Sequence, residues 1–186
     1  MHLLRLLRIF IPLVILAAIV AGAVVVVTSR SDLQRSRKQV DATWPPLRND
    51  LDARYRALAA ANDAVRPVPG PLHQLVSQVG AAYGSWQNLE QHGAGVSSEV
   101  VAANDLESLG RRLVVAARAA PRLIGNTAAL GVVSVYAAMN PPKSALAFDA
   151  AVDSFERERN RPARSIAARI LGYRSIPAYD TSGTAT

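Results

Sequence analysis

Cysteine is absent from the 186 residues. Its absence excludes disulfides, thiolate metal sites, a cysteine nucleophile and a lipid-modified N-terminal cysteine. It leaves either side of a membrane open as a location. Aromatic residues make up only 5% of the chain. Alternating β-branched and aromatic runs are missing as well, so a β-sandwich lacks its raw material, and the plentiful alanine favours helix. Histidine occurs only at His2, His73 and His92. None has a histidine or carboxylate three or four residues further on, so no helical metal site is expected around them. No nucleophile elbow, phosphate loop or dinucleotide fingerprint is present. His92-Gly93-Ala94-Gly95 reads as a plain turn. The chain carries a net charge of +7, but from residue 31 onward 18 basic residues face 14 acidic ones. That balance, with no recognisable module, argues against nucleic acid as a partner. No catalytic, cofactor-binding or metal-ligating residue is expected.

The most specific feature is a run of 21 uncharged residues, 9–29, between Arg8 and Arg30. As a helix it would reach about 31 Å, the thickness of a bilayer's hydrocarbon core. Val24 to Val27 would be poor helix formers in water, yet in lipid the backbone has no other partner. Residues 1–30 are therefore expected to be a membrane anchor of one span. A cleaved signal peptide is the alternative, with Arg5 and Arg8 as its basic start and Ala21-Gly22-Ala23 as its cleavage site. Arg30, Arg35, Arg37 and Lys38 follow the run closely, which leans the C-terminal side toward the cytoplasm.

Beyond the anchor the apolar residues recur at helical spacing. Leu33, Val40, Trp44, Leu47, Leu51, Tyr55, Leu58 and Val65 trace one stripe. Pro45-Pro46 predicts a kink or break near Thr43-Trp44, because each proline removes a donor and clashes with the preceding turn. The Pro/Gly cluster over residues 66–71 ends the segment. Leu72, Leu75, Val76, Val79, Tyr83, Trp86 and Leu89 mark a second helix over residues 72–91, in which Gly80 and Gly84 weaken the helix or allow close approach. A third helix is predicted from a Ser97 or Ser98 cap, with Glu99 in its first turn and Leu106, Leu109, Leu113 and Ala117 on its face. Residues 123–142 carry no charge between Arg122 and Lys143, and two readings stand: a helix buried on most sides, or a segment touching the membrane. The last long helix starts at a Ser144 cap and buries Ala145, Phe148, Val152 and Phe155. The expected architecture is all-α: an N-terminal transmembrane helix and an antiparallel helical bundle with a long first helix over residues 31–176, followed by a disordered tail over 177–186.

Val40-Asp41 with Trp44, then Leu47, Leu51, Arg54-Tyr55 and Leu58, resembles the start of LemA family proteins, in which such a helix follows an N-terminal span. Phe148-Asp149, Val152 and Phe155-Glu156 are similar to that family's paired Tyr-Asn repeats. Pro162, Ile166-Ala167, Leu171-Gly172-Tyr173 and Tyr179-Asp180 resemble its closing segment. Pro45-Pro46, Pro141-Pro142 and Arg56-Ala57-Leu58-Ala59 depart from the family pattern. The resemblance implies a membrane-anchored helical bundle and names no catalytic residues.

Two acidic pairs, Asp50/Asp52 and Asp149/Asp153, are sparse as cation sites. The most suggestive series is Arg157, Arg159, Arg161, Arg164, Arg169 and Arg174, interleaved with Ile166, Ile170, Leu171 and Tyr173. It reads either as a surface for anionic lipid or partners, or as a solvated helix end paired with Glu156 and Glu158. The expected function is a membrane-tethered helical scaffold that binds protein partners, not an enzyme. An anionic-lipid or envelope-sensing module and an enzyme with an unrecognised site are the alternatives.

Overall fold

A computed structural model describes the backbone of residues 2–68, 70 and 72–180, and side chains from residue 24 onward apart from 25, 26, 28 and 163 within those helices. Among the described residues six α-helices follow one another: α1 (His2–Val65), α2 (Leu72–His92), α3 (Val96–Ala119), α4 (Thr127–Ala138), α5 (Ser144–Arg159) and α6 (Pro162–Ile170). A short 3-10 turn, Pro121–Leu123, precedes α4. No strand occurs among the described residues. The fold is all-α, a helical bundle. The chain divides into two compact units, one of Met1–Gln39 with Asp153–Ser175 and one of Val40–Val152 with Ile176–Thr186. The domain expected over residues 31–176 is thus shared between both units. Among the described residues no helix is long and apolar enough to cross a membrane. Most of the anchor and signal-peptide region, and the tail from residue 181, lie outside the residues described in full.

The larger unit is organised on the predicted stripe of α1. From Val40 to Val65 each of its apolar positions is at most 4% exposed. The indole of Trp86 meets Tyr55 edge-on at 5.1 Å and Trp44 at 6.4 Å, while Trp44 lies 5.2 Å from Phe148. Edge-on aromatic pairs of this kind add to what burial alone supplies. Each polar tip in this cluster is satisfied: the Trp86 indole N–H donates to Asp52 at 2.9 Å, the Trp44 indole N–H to Glu99, and the Tyr55 hydroxyl to the Ala103 carbonyl at 3.0 Å. Burying such groups unpaired would offset much of what the apolar rings contribute.

The break expected at Pro45-Pro46 is absent: α1 runs through both prolines without interruption. The flanking Trp44 and Leu47 are buried, and both prolines are exposed. Pro45 and Pro46 supply no N–H to the carbonyls four residues earlier, which belong to the exposed residues Asp41 and Ala42. Packing on one face outweighs the local cost on the other. The caps differ from expectation too. Gly95, with φ of 88°, precedes α3 where Ser97 or Ser98 was expected to cap it. Ser144 lies inside α5, and its hydroxyl donates to Asp50 instead of capping. Residues 123–142 are buried on one face only: Leu123, Ala129, Val133 and Tyr136 point inward, while Ile124 and Val135 are 70% and 62% exposed. The outer face of α4 is therefore apolar and open. Part of the tail expected to be disordered is packed, since Tyr179 is only 3% exposed.

The smaller unit buries Leu33, Phe155, Ala167 and Ala168, with Phe155 and Tyr173 in ring contact at 6.3 Å. Pro162 opens α6 at a position where a missing N–H costs nothing. Gly172, with φ of 75°, closes it: Gly172 N–H donates to the Arg169 carbonyl and Tyr173 N–H to that of Ala168, the two bonds of a Schellman end.

Candidate functional site

The six arginines singled out in the sequence do not form one free basic face. Arg159 binds Glu156 at 2.9 Å and Arg161 binds Glu158 at 3.0 Å. Arg164 reaches across from α6 to Asp32 of α1 at 2.7 Å and also pairs with Glu158. Arg157, Arg169 and Arg174 are exposed. The series thus divides into a tying role, led by Arg164, and an outward-facing remainder. Arg161 serves both, because its side chain stays 59% exposed while paired.

A second concentration of polar groups lies inside the larger unit, and sequence reasoning missed it. The Arg54 guanidinium of α1 grips the Glu107 carboxylate of α3 through two N–H donors, at 2.6 and 3.0 Å, and donates also to the Met139 carbonyl beyond α4. The Glu107 side chain is 3% exposed and that of Arg54 11%. The Tyr136 ring of α4 lies under the same guanidinium, 4.9 Å from its carbon. Burial works against the charge on Arg54, but the hydrogen bond to Glu107 and its negative charge outweigh that, and the guanidinium pKa is raised. Burial, followed by the charge of Glu107, pushes Tyr136 up to about 12 against the opposing pull of Arg54 and Arg111. Tyr55 and Tyr179 are pushed upward as well, first by burial, so all three phenols are held in their protonated form at neutral pH. At that pH the cluster offers a fixed ion pair and hydrogen-bond donors, groups suited to holding three helices in register.

The segment after α6 completes this interior. Tyr179 N–H donates to Asp149 at 2.9 Å, Asp180 N–H to the Asn104 side-chain oxygen at 2.9 Å, and the Asn104 amide donates back to the Ala178 carbonyl at 3.0 Å. Asp149, read as half of a cation pair, is occupied by a backbone N–H. Asp50 and Asp52 accept from Ser144 and Trp86. His73 is exposed, and His92 uses Nδ1 on the Asn88 carbonyl at 2.8 Å. Among the described residues no group of three or more His, Cys, Asp or Glu side chains could hold a metal ion.

The glycine that matters for packing is also one the sequence did not mark. A methyl group on Gly110 would collide with the Tyr136 hydroxyl oxygen and lie 2.8 Å from the ring carbon that bears it, whereas Gly84 has open space and Gly80 only an ordinary contact. The signal for Arg54 and Glu107 was faint but present: two opposite charges, each sitting within an apolar helix face. No family model, no curated protein and no solved structure matches this chain.

Proposed function

We propose that this chain is a single-pass, membrane-anchored helical scaffold whose outer helix faces bind protein partners. The observation that carries the reading is the continuity of α1, which extends unbroken from the uncharged run at residues 9–29 into the buried stripe that begins at Leu33. An uninterrupted helix is the form a lipid environment demands, since every backbone group there must be satisfied internally. Val24 and Val27, at 56% and 71% exposure, are better served by acyl chains than by water. The resemblance to the LemA family supports the same architecture. Arg30, Arg35, Arg37 and Lys38 support a cytoplasmic domain.

Partner binding is supported by what the bundle leaves open. Val101, Val115, Ile124, Val135 and Leu146 are 50–74% exposed, and the strongest buried polar groups are committed to holding the bundle. Ile124 and Val135 lie on the open side of the α4 region and are the partner face to test.

Alkaline extraction of membranes containing the full chain should leave it in the pellet until detergent is added; release into the alkaline supernatant rules out the anchor. Photo-crosslinkers at Ile124 and Val135 should yield a discrete adduct that a crosslinker at exposed Gln87 does not. Equal, diffuse labelling at all three positions counts against a partner face on α4.

A further inference from the structure

We infer that the turn joining α5 to α6 is a second membrane contact, in which Arg157 and Arg161, together with Arg30, engage the phosphates of anionic lipids. The inference rests on the anchor reading and adds to it a specific lipid-recognising element. Its geometric basis is the Arg164–Asp32 ion pair at 2.7 Å, within the smaller unit. Asp32 follows the last residue of the uncharged run, Ser29, by three positions. Along a helix that is a rise of about 4.5 Å. The polar layer of each leaflet is roughly 5–7 Å deep. A side chain of α6 bonded to Asp32 is therefore held at headgroup depth, and the turn at residues 160–161, a few residues away in the chain, is brought there with it.

The chemistry of the turn suits that depth. Arg157, Arg161 and Arg30 are exposed. The nearby acids are shared among several partners: Arg164 engages Asp32, Arg164 and Arg161 both engage Glu158, and Arg159 engages Glu156, while the Arg161 side chain stays 59% exposed. Ile166 lies two residues beyond Arg164 and is 63% exposed, while the adjoining Ala167 and Ala168 are buried. An isoleucine beside arginines is poorly placed in bulk water and well placed at the boundary between headgroups and acyl chains. The arginines match anionic phosphate by charge and by their fork of N–H donors. The depth set by the Arg164–Asp32 pair, and the match of exposed guanidiniums to phosphate, make the leaflet the occupant.

The lack of cysteine makes a direct test available. The full-length chain is reconstituted in vesicles of zwitterionic lipid alone or with anionic phosphatidylserine. A fluorescent or spin label is placed singly by Ile15→Cys, Asn160→Cys, Ile166→Cys or Leu146→Cys. Leu146, exposed in the larger unit, is the reference position. Labels at 160 and 166 should be shielded from an aqueous quencher in anionic vesicles while the label at 146 is not. Arg157→Gln with Arg161→Gln should weaken the docked state about thirtyfold without changing the label at position 15. If that label is in lipid but those at 160 and 166 are as accessible as the one at 146, the turn is not a membrane contact and the anchor stands. Shielding that ignores lipid charge overturns the recognition of anionic lipid. A water-accessible label at position 15 overturns anchor and turn together.

Discussion

Glu107 holds one half of a buried ion pair in the larger unit. It is 3% exposed and is the counter-charge for Arg54. Removing one member of a buried pair leaves the other charge desolvated and unmatched, whereas removing both spares that cost. Glu107→Gln should therefore lower unfolding stability by about 3 kcal/mol, with Arg54→Met plus Glu107→Met losing less than the single change; a denaturant titration of these variants decides it. Gly110 acts through space rather than charge. Gly110→Ala drives a methyl group into the Tyr136 hydroxyl, and overpacking of this kind costs about 1–3 kcal/mol. Tyr136→Leu in the same chain should recover part of that loss by opening the contact. The phenols set the alkaline limit. Well below the ordinary phenol value of about 10, Tyr136 is protonated whether folded or unfolded, so it contributes no pH dependence. Between that value and its folded value of about 12, only the unfolded chain releases the proton, so stability falls as pH rises through that window. Tyr136→Phe should flatten this part of the stability curve, measured by circular dichroism at fixed temperature.

At the level of elements, α1 shows tertiary packing overruling local preference. Proline inside a helix costs about 3 kcal/mol relative to alanine, and α1 carries two in succession without ending. Both are exposed and make no part of the buried stripe. Replacing both with alanine should restore two backbone bonds and raise the melting temperature; a lower one would show that the prolines shape α1 in a way the core depends on. The stripes themselves were legible from spacing. Every apolar position predicted for α1 from Leu33 on, and all four predicted for α5, is buried, because only residues three or four apart share a helix face. The caps were less legible. Serine caps a helix by accepting a backbone N–H, but Ser144 is already the first residue of α5 and its hydroxyl donates to Asp50, 94 positions away in sequence.

Across the whole molecule, the chain leaves the larger unit at Val152 and returns to it at Ile176. The returning segment brings Ile176 and Tyr179, 2% and 3% exposed, into that unit's interior. Burying side chains of this size is worth about 1.5–3 kcal/mol each. A chain ending at Ser175 should accordingly lose several kcal/mol from the larger unit. Hydrogen exchange would show it as faster exchange in α3, where Asn104 loses its contacts; unchanged protection there would make the returning segment dispensable. The arginine series followed the same logic of long-range pairing. Its composition was visible, but whether each guanidinium ties or faces outward depended on acids such as Asp32, 132 residues from Arg164.

Sequence alone determined the helical class and the buried stripes of α1 from Leu33 on and of α5, because these follow from residue type and a fixed period of about 3.6 residues, whereas Tyr83 and Leu89 of α2 and Leu109 of α3 are only half-buried. Tertiary structure alone decided that α1 continues through Pro45 and Pro46, that Arg54 meets Glu107 over Tyr136, that Gly110 makes room for that ring, and that Tyr179 is core. Each of these is a balance between a local cost and a contact supplied by a distant segment. No local pattern can specify such a balance, because the distant partner enters only when the chain has folded.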